Sequence, residues 1–199
     1  MKFSLAEDRV LICHPQTPSR WARSVQARLS KADGGLAITY TIEGELSRLC
    51  LPAQCAPGRV DGLWQHTCFE AFISVKAARV YHELNFSPSG QWAAYAFESY
   101  RDGAPLSLDP PPKIKSRILG NRLELDTLID RSCLPPTTAE TGFLFGLSAV
   151  IEEDDGVLSY WALRHPSARP DFHHPDSFIL ELSRNHVDAT TDAAYTSKR

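Results

Sequence analysis

Between Leu63 and Arg101 the chain reads LWQHTCFEAFISVKAARVYHELNFSPSGQWAAYAFESYR, and no other stretch limits the possible folds so tightly. From Cys68 to Val75 the pattern has the period of a strand with one face turned to a core. Phe69, Ala71, Ile73 and Val75 form one row, and Cys68, Glu70, Phe72 and Ser74 form the other. A second run spans Val80 to Phe86. Closing Lys76 to Arg79 as a hairpin loop sets Val75 opposite Val80, Ile73 opposite His82, Ala71 opposite Leu84 and Phe69 opposite Phe86, so the apolar rows coincide.

Ser87-Pro88-Ser89-Gly90 then carries the residues of a tight turn. Closed as a four-residue loop, it pairs Phe86 with Gln91, Asn85 with Trp92, Glu83 with Ala94 and His82 with Tyr95. The core face continues through Ala93, Tyr95 and Phe97. The opposite face carries Glu70, Asn85 and Trp92 in one cross-strand row and Phe72, Glu83 and Ala94 in the next. Carboxylates and an amide beside a flat indole suit the hydroxyls and apolar face of a small polar ligand. The same residues serve equally as the solvated face of an antiparallel sheet. The ligand reading requires Glu70 and Trp92 to leave the same side of their sheet, because a slip of one residue turns a whole face over.

Similar signals recur on both sides of this unit. Arg9 to His14 reads as a short edge strand. Val25, Ala27 and Leu29, then Leu36, Ile38, Tyr40 and Ile42, flank the turn Ala32-Asp33-Gly34-Gly35. Leu46, Leu49 and Leu51 suggest another short strand. Gly120-Asn121 joins Ile114–Leu119 to Arg122–Leu125, and Asp126 to Asp130 suggests one helical turn. Phe143 to Glu152 is the longest apolar run, and a loop at Glu153–Gly156 would place Ser148 opposite Trp161. Many short strands with regular turns and few helical signals predict an all-β fold, a two-sheet antiparallel β-sandwich. Residues 1–184 are expected to form this single domain and 185–199 a flexible C-terminal tail.

With 21 basic and 24 acidic residues the net charge is -3, and no basic stripe tracks a phosphate backbone, so no nucleic-acid partner is expected. No stretch approaches the ~20 apolar residues of a membrane span, and charges interrupt the N-terminal segment, so the expectation is a cytoplasmic protein with no membrane partner. The five cysteines are scattered without a CxxC pair and indicate no disulfide framework or zinc ribbon.

The segment WALRHPSARPDFHHPD, Trp161 to Asp176, is the most chemically loaded loop. His165, Asp171, His173, His174 and Asp176 match no known metal-ligand spacing, and a structural loop is the simpler reading. Glu70 and Glu83, on adjacent strands, would be the carboxylates of a hydrolase using His165 or His173, while an exposed sheet face would also suit a protein partner. No catalytic or metal-binding residue and no cofactor is assigned.

The runs DGLWQHTCFEAFISV, YHELNFSPSGQWAAY and SYWALRHPSARPDFHHPDSF resemble a group of small bacterial proteins carrying a DOMON-like, type 9 carbohydrate-binding-module domain. The resemblance extends from CHPQTP to FILEL. It implies a two-sheet β-sandwich whose relatives bind sugars or, in some DOMON domains, haem. The single methionine is Met1, which excludes a Met/His haem ligand pair. In sugar-binding relatives, tryptophans clamp the saccharide while a carboxylate and an amide bond its hydroxyls. Trp64, Glu70, Asn85, Trp92 and Trp161 are the counterparts by residue type. With Glu83 from the sheet face and His165 from the loop added, the expected ligand-binding set is Trp64, Glu70, Glu83, Asn85, Trp92, Trp161 and His165, around a small polar ligand such as a saccharide.

Overall fold

The computed structural model describes residues 8–136 and 142–182; the stretch read as a tail, 185–199, lies outside them. Twelve strands run β1 (Arg9–Cys13), β2 (Ala22–Ala32), β3 (Gly35–Gly44), β4 (Cys68–Val75), β5 (Tyr81–Phe86), β6 (Trp92–Ser99), β7 (Asp102–Pro105), β8 (Lys113–Leu119), β9 (Arg122–Asp130), β10 (Phe143–Glu152), β11 (Leu158–Ala162) and β12 (Leu180–Leu182). The ladders are antiparallel in the order β7-β6-β5-β4-β10-β11-β1-β2-β3-β9-β8, with β12 added to β10. Helical structure among the described residues is limited to short 3-10 turns.

Strand β1 joins the two layers of a sandwich. Leu11 pairs with Val25 of β2, and Ile12 pairs with Ala162 of β11. It is thus an internal strand, not the edge strand its length suggested. The core lies between the layers. Val25, Ile38, Tyr40, Ile42 and Leu125 from one side, and Phe69, Ile73, Leu84, Phe145 and Leu147 from the other, belong to one buried cluster. Each such large apolar side chain contributes about 1.5–3 kcal/mol on leaving water. Tyr40 ties the layers directly: its ring stacks on Phe69 at 4.9 Å and its hydroxyl donates to the Glu70 carbonyl at 2.7 Å.

Asp126–Asp130 is strand, not a helical turn. Leu123, Leu125, Thr127 and Ile129 keep the two-residue period, and neighbours β3 and β8 satisfy the backbone on both sides. Leu46–Arg48 is a 3-10 turn, and Leu49 makes only an isolated bridge to Glu153.

The hairpin between β4 and β5 has the expected register, with Phe69 opposite Phe86 and Ile73 opposite His82. Two other hairpins are longer by one residue than a four-residue turn. In Ser87–Gln91, the Ser87 N–H donates to the Gln91 carbonyl and the Gly90 N–H to the Ser87 carbonyl, at 2.9 and 3.0 Å. In Glu153–Val157 the same two bonds join Glu153 to Val157 and Gly156 to Glu153, at 2.9 and 2.8 Å. Each loop has glycine fourth with positive φ, +92° at Gly90 and +81° at Gly156. This is a turn followed by a left-handed residue, which adds one position before the strands rejoin.

Candidate functional site

That extra residue turns over the outer face of β6 and β11. Phe86 pairs with Trp92, so Trp92 belongs to the inter-layer core and leaves the sheet on the side opposite Glu70. Ala149 pairs with Trp161, which also lies in the core and donates its indole N–H to Ser159 Oγ at 3.0 Å. Both tryptophans are corrections to the expected ligand set. In their place the shift brings Tyr95, Phe97 and Tyr160 to the outer face.

The outer face is built in cross-strand rows. Ala93, Asn85, Glu70, Ser148 and Ala162 form one; Tyr95, Glu83, Phe72 and Gly146 form the next; Phe97, Tyr81 and Ser74 form a third. The chain after β11 folds back over the rows. Phe178 stacks on Phe72 at 5.6 Å above Gly146, where a Cβ would come within 2.6 Å of the Phe178 ring. Only glycine leaves space for this aromatic cover.

Between cover and sheet lies a cleft of about 410 Å³. Glu70 and Glu83 form its floor. Tyr95, Phe97, Val150, Tyr160, Pro170, Phe172 and His173 form its walls, and Trp64 and Arg101 complete the lining. Trp64 is half exposed, so one ring of the expected set stands at the opening. Asn85, beside Glu70 on the same face but fully buried and not in the cleft lining, donates to Glu83 Oε1 at 2.7 Å, holding that carboxyl in place. His165 lies outside the cleft: its Nε2 is 2.7 Å from the Ile12 carbonyl oxygen and its ring meets His14.

The electrostatics centre on Glu70. It is 3% exposed, and its carboxyl has no hydrogen-bond partner among the described residues. Burial, then the neighbouring Glu83 charge, pushes its pKa well above the usual carboxylate range, although the Arg101 charge pulls the other way. Burial also raises Glu83, against the Asn85 hydrogen bond and Arg101. Ser148, opposite Glu70 on β10, has a buried hydroxyl without a partner among the described residues.

His173 Nε2 lies 3.5 Å from Glu83 Oε2. Burial, then Arg101, lowers the imidazole pKa to about 4. With Glu83 shifted upward, both changes favour neutral partners, so the contact is a long dipolar one rather than an ion pair. Arg101 takes a left-handed conformation, φ 57°, and its guanidinium turns to Asp171 at 3.0 Å and to the Tyr100 hydroxyl at 3.3 Å. Among the described residues no three His, Cys, Asp or Glu side chains group as metal ligands. His174 instead accepts the Asp176 N–H at 3.2 Å.

No protein-family model and no curated protein matches the chain. Solved structures similar in fold include the following three. A candidate carbohydrate-binding protein from Bacteroides uniformis superposes with TM-score 0.69 at 17% identity, over 89% of this chain and 86% of that one. A family 9 carbohydrate-binding module from Caldicellulosiruptor kristjanssonii in complex with cellotriose gives TM-score 0.57 at 11% identity, over 98% and 88%. The module in complex with glucose gives 0.55 at 12% identity, over 96% and 88%. The chain has the β-sandwich fold of these carbohydrate-binding modules.

Proposed function

We propose that the protein is a non-catalytic binding domain whose cleft takes a small saccharide. The observation that carries this reading is the Glu70 carboxyl, buried, without a hydrogen-bond partner among the described residues and facing a cleft walled by aromatic rings. Its oxygens open onto the cleft, where a ligand hydroxyl can bond them for a net gain of about 0.5–1.5 kcal/mol, and the neighbouring Ser148 hydroxyl is buried without a partner among the described residues. Tyr95, Tyr160 and Trp64 offer the flat apolar surfaces that stack on sugar rings. The fold likeness to modules solved with cellotriose and glucose supports the choice of ligand, and the DOMON-like kinship belongs to the same proposal. All five cysteines are free, which suits a reducing, cytoplasmic setting.

A hydrolase built on Glu70 and Glu83 is the competing reading. Two catalytic carboxyls work as an acid and an ionised partner, with pKa values driven apart by their surroundings. Here burial raises both carboxyls, Glu70 the further, and the choice of binding over hydrolysis rests on the fold likeness to carbohydrate-binding modules. Calorimetric titration with glucose and cello-oligosaccharides should give saturable binding, weakened about tenfold or more by Glu70→Ala and by Tyr95→Ala. Silence across a broad mono- and oligosaccharide panel would refute the proposal. So would turnover of a glycoside that disappears in Glu70→Gln.

A further inference from the structure

Two carboxyls line the floor, and neither forms a salt bridge to a lysine or arginine among the described residues. Arg101, whose charge both of them feel, points its guanidinium at Asp171 and the Tyr100 hydroxyl. Asn85 bonds one Glu83 oxygen, and Glu70 has no such bond. Glu70 and Glu83 stand in diagonal rows of adjacent strands, so their Cβ atoms are about 7–8 Å apart or less, a gap that a single –NH₃⁺ with its several donors can bridge. Resting on the saccharide reading of this cleft, we propose that the preferred ligand is a sugar bearing a free ammonium group, as an unacetylated hexosamine does, with that group seated between Glu70 and Glu83.

The surroundings support a cation at this point. His173, which faces Glu83 from the covering loop, stays neutral and does not repel it. Tyr81 from β5, Tyr160 from β11 and Cys68 from β4 surround the pair as neutral hydroxyls and a thiol, all held protonated chiefly by burial. The walls are aromatic, and ring faces attract cations. Arg101 is the positive charge that opposes a cation here, and Asp171 compensates it. Burial raises the proton affinity of both carboxyls, and an ammonium ion between them favours their ionised forms, so binding shifts the pair toward proton release and is coupled to pH.

The test compares glucosamine, glucose and N-acetylglucosamine by calorimetry at pH 7, in phosphate and in Tris. The expected result is glucosamine tighter than either neutral sugar by about tenfold or more, the scale of one charge-assisted hydrogen bond. The apparent enthalpy should differ between buffers by the amount that proton release dictates. Equal affinities for glucose and glucosamine overturn the ammonium proposal and leave saccharide binding standing, whereas no heat from any of the three overturns both. Glucosamine preference that survives in Glu70→Gln or in Glu83→Gln, whichever variant gives a cooperative melt, also overturns it.

Discussion

The Tyr81 hydroxyl lies 2.9 Å from Nδ1 of His173, and its oxygen accepts the Arg101 backbone N–H at 3.1 Å. The phenol proton is thereby directed to Nδ1, which leaves the imidazole proton on Nε2, facing Glu83. One strand residue thus sets the tautomer of a cleft wall contributed by a distant loop.

Acid sensitivity follows from this arrangement. His173 titrates at about 4 in the fold against an ordinary 6.5, so the unfolded chain takes up a proton that the folded chain refuses. Its contribution is full above the ordinary value and is lost as pH falls through the folded one. Urea unfolding from pH 7 to pH 4 should cost the wild type on the order of 2–3 kcal/mol that His173→Gln does not lose. Parallel curves for the two proteins would refute the assignment.

Glu70 has the opposite sign. Its raised folded pKa makes the stability it contributes present below the ordinary carboxylate value of 4.5 and lost as pH rises through the shifted one. Glu70→Gln should therefore stabilise the fold at pH 8 by about 1–3 kcal/mol and leave it unchanged near pH 4. Thermal melts across that range read the difference, and a destabilised variant at pH 8 would contradict it.

Glu153 is a buried carboxylate of another kind, fully partnered. It accepts from Ser19 Oγ at 2.9 Å and from the Arg20 backbone N–H and Nε at 2.7 Å each. Because Arg20 is half exposed and can recover hydration, Glu153→Ala should cost about 2–3 kcal/mol in denaturant unfolding, at the lower end for a broken buried pair. A loss below about 1 kcal/mol would show that the network contributes no more than a surface ion pair.

Loop conformation gives a paired prediction. Gly156 has φ +81°, and a methyl group added to its Cα would meet no atom within 4 Å, so Gly156→Ala encounters only backbone strain and should lose about 1 kcal/mol. Ala77, with φ 64° in the hairpin between β4 and β5, carries that strain already, and Ala77→Gly should gain roughly 0.5–1 kcal/mol. Shifts of the same sign in both melts would contradict the loop assignments.

Alternation determined the strands around Glu70 and the shared face of Glu70, Glu83 and Asn85, and with the four-residue loop Lys76–Arg79 it set the register of β4 on β5, because a two-residue period is a local property of the chain; where the period was short or mixed, at Leu46–Leu51 and Asp126–Asp130, it misled. Trp92 and Trp161 were misplaced because a glycine fourth in each loop admits one more residue than a four-residue turn, and a single slip moves every side chain beyond it. The sequence SPSG does contain that signal, with proline second and glycine fourth, and EDDG repeats the glycine fourth with aspartate in place of the proline. What only the tertiary structure decided was the cover. Nothing in the spacing of Phe172, His173 and Phe178 reveals that they fold back over Phe72 and Gly146. That contact joins distant segments, and it converts a flat polar sheet face into a cleft dry enough to shift the carboxyls.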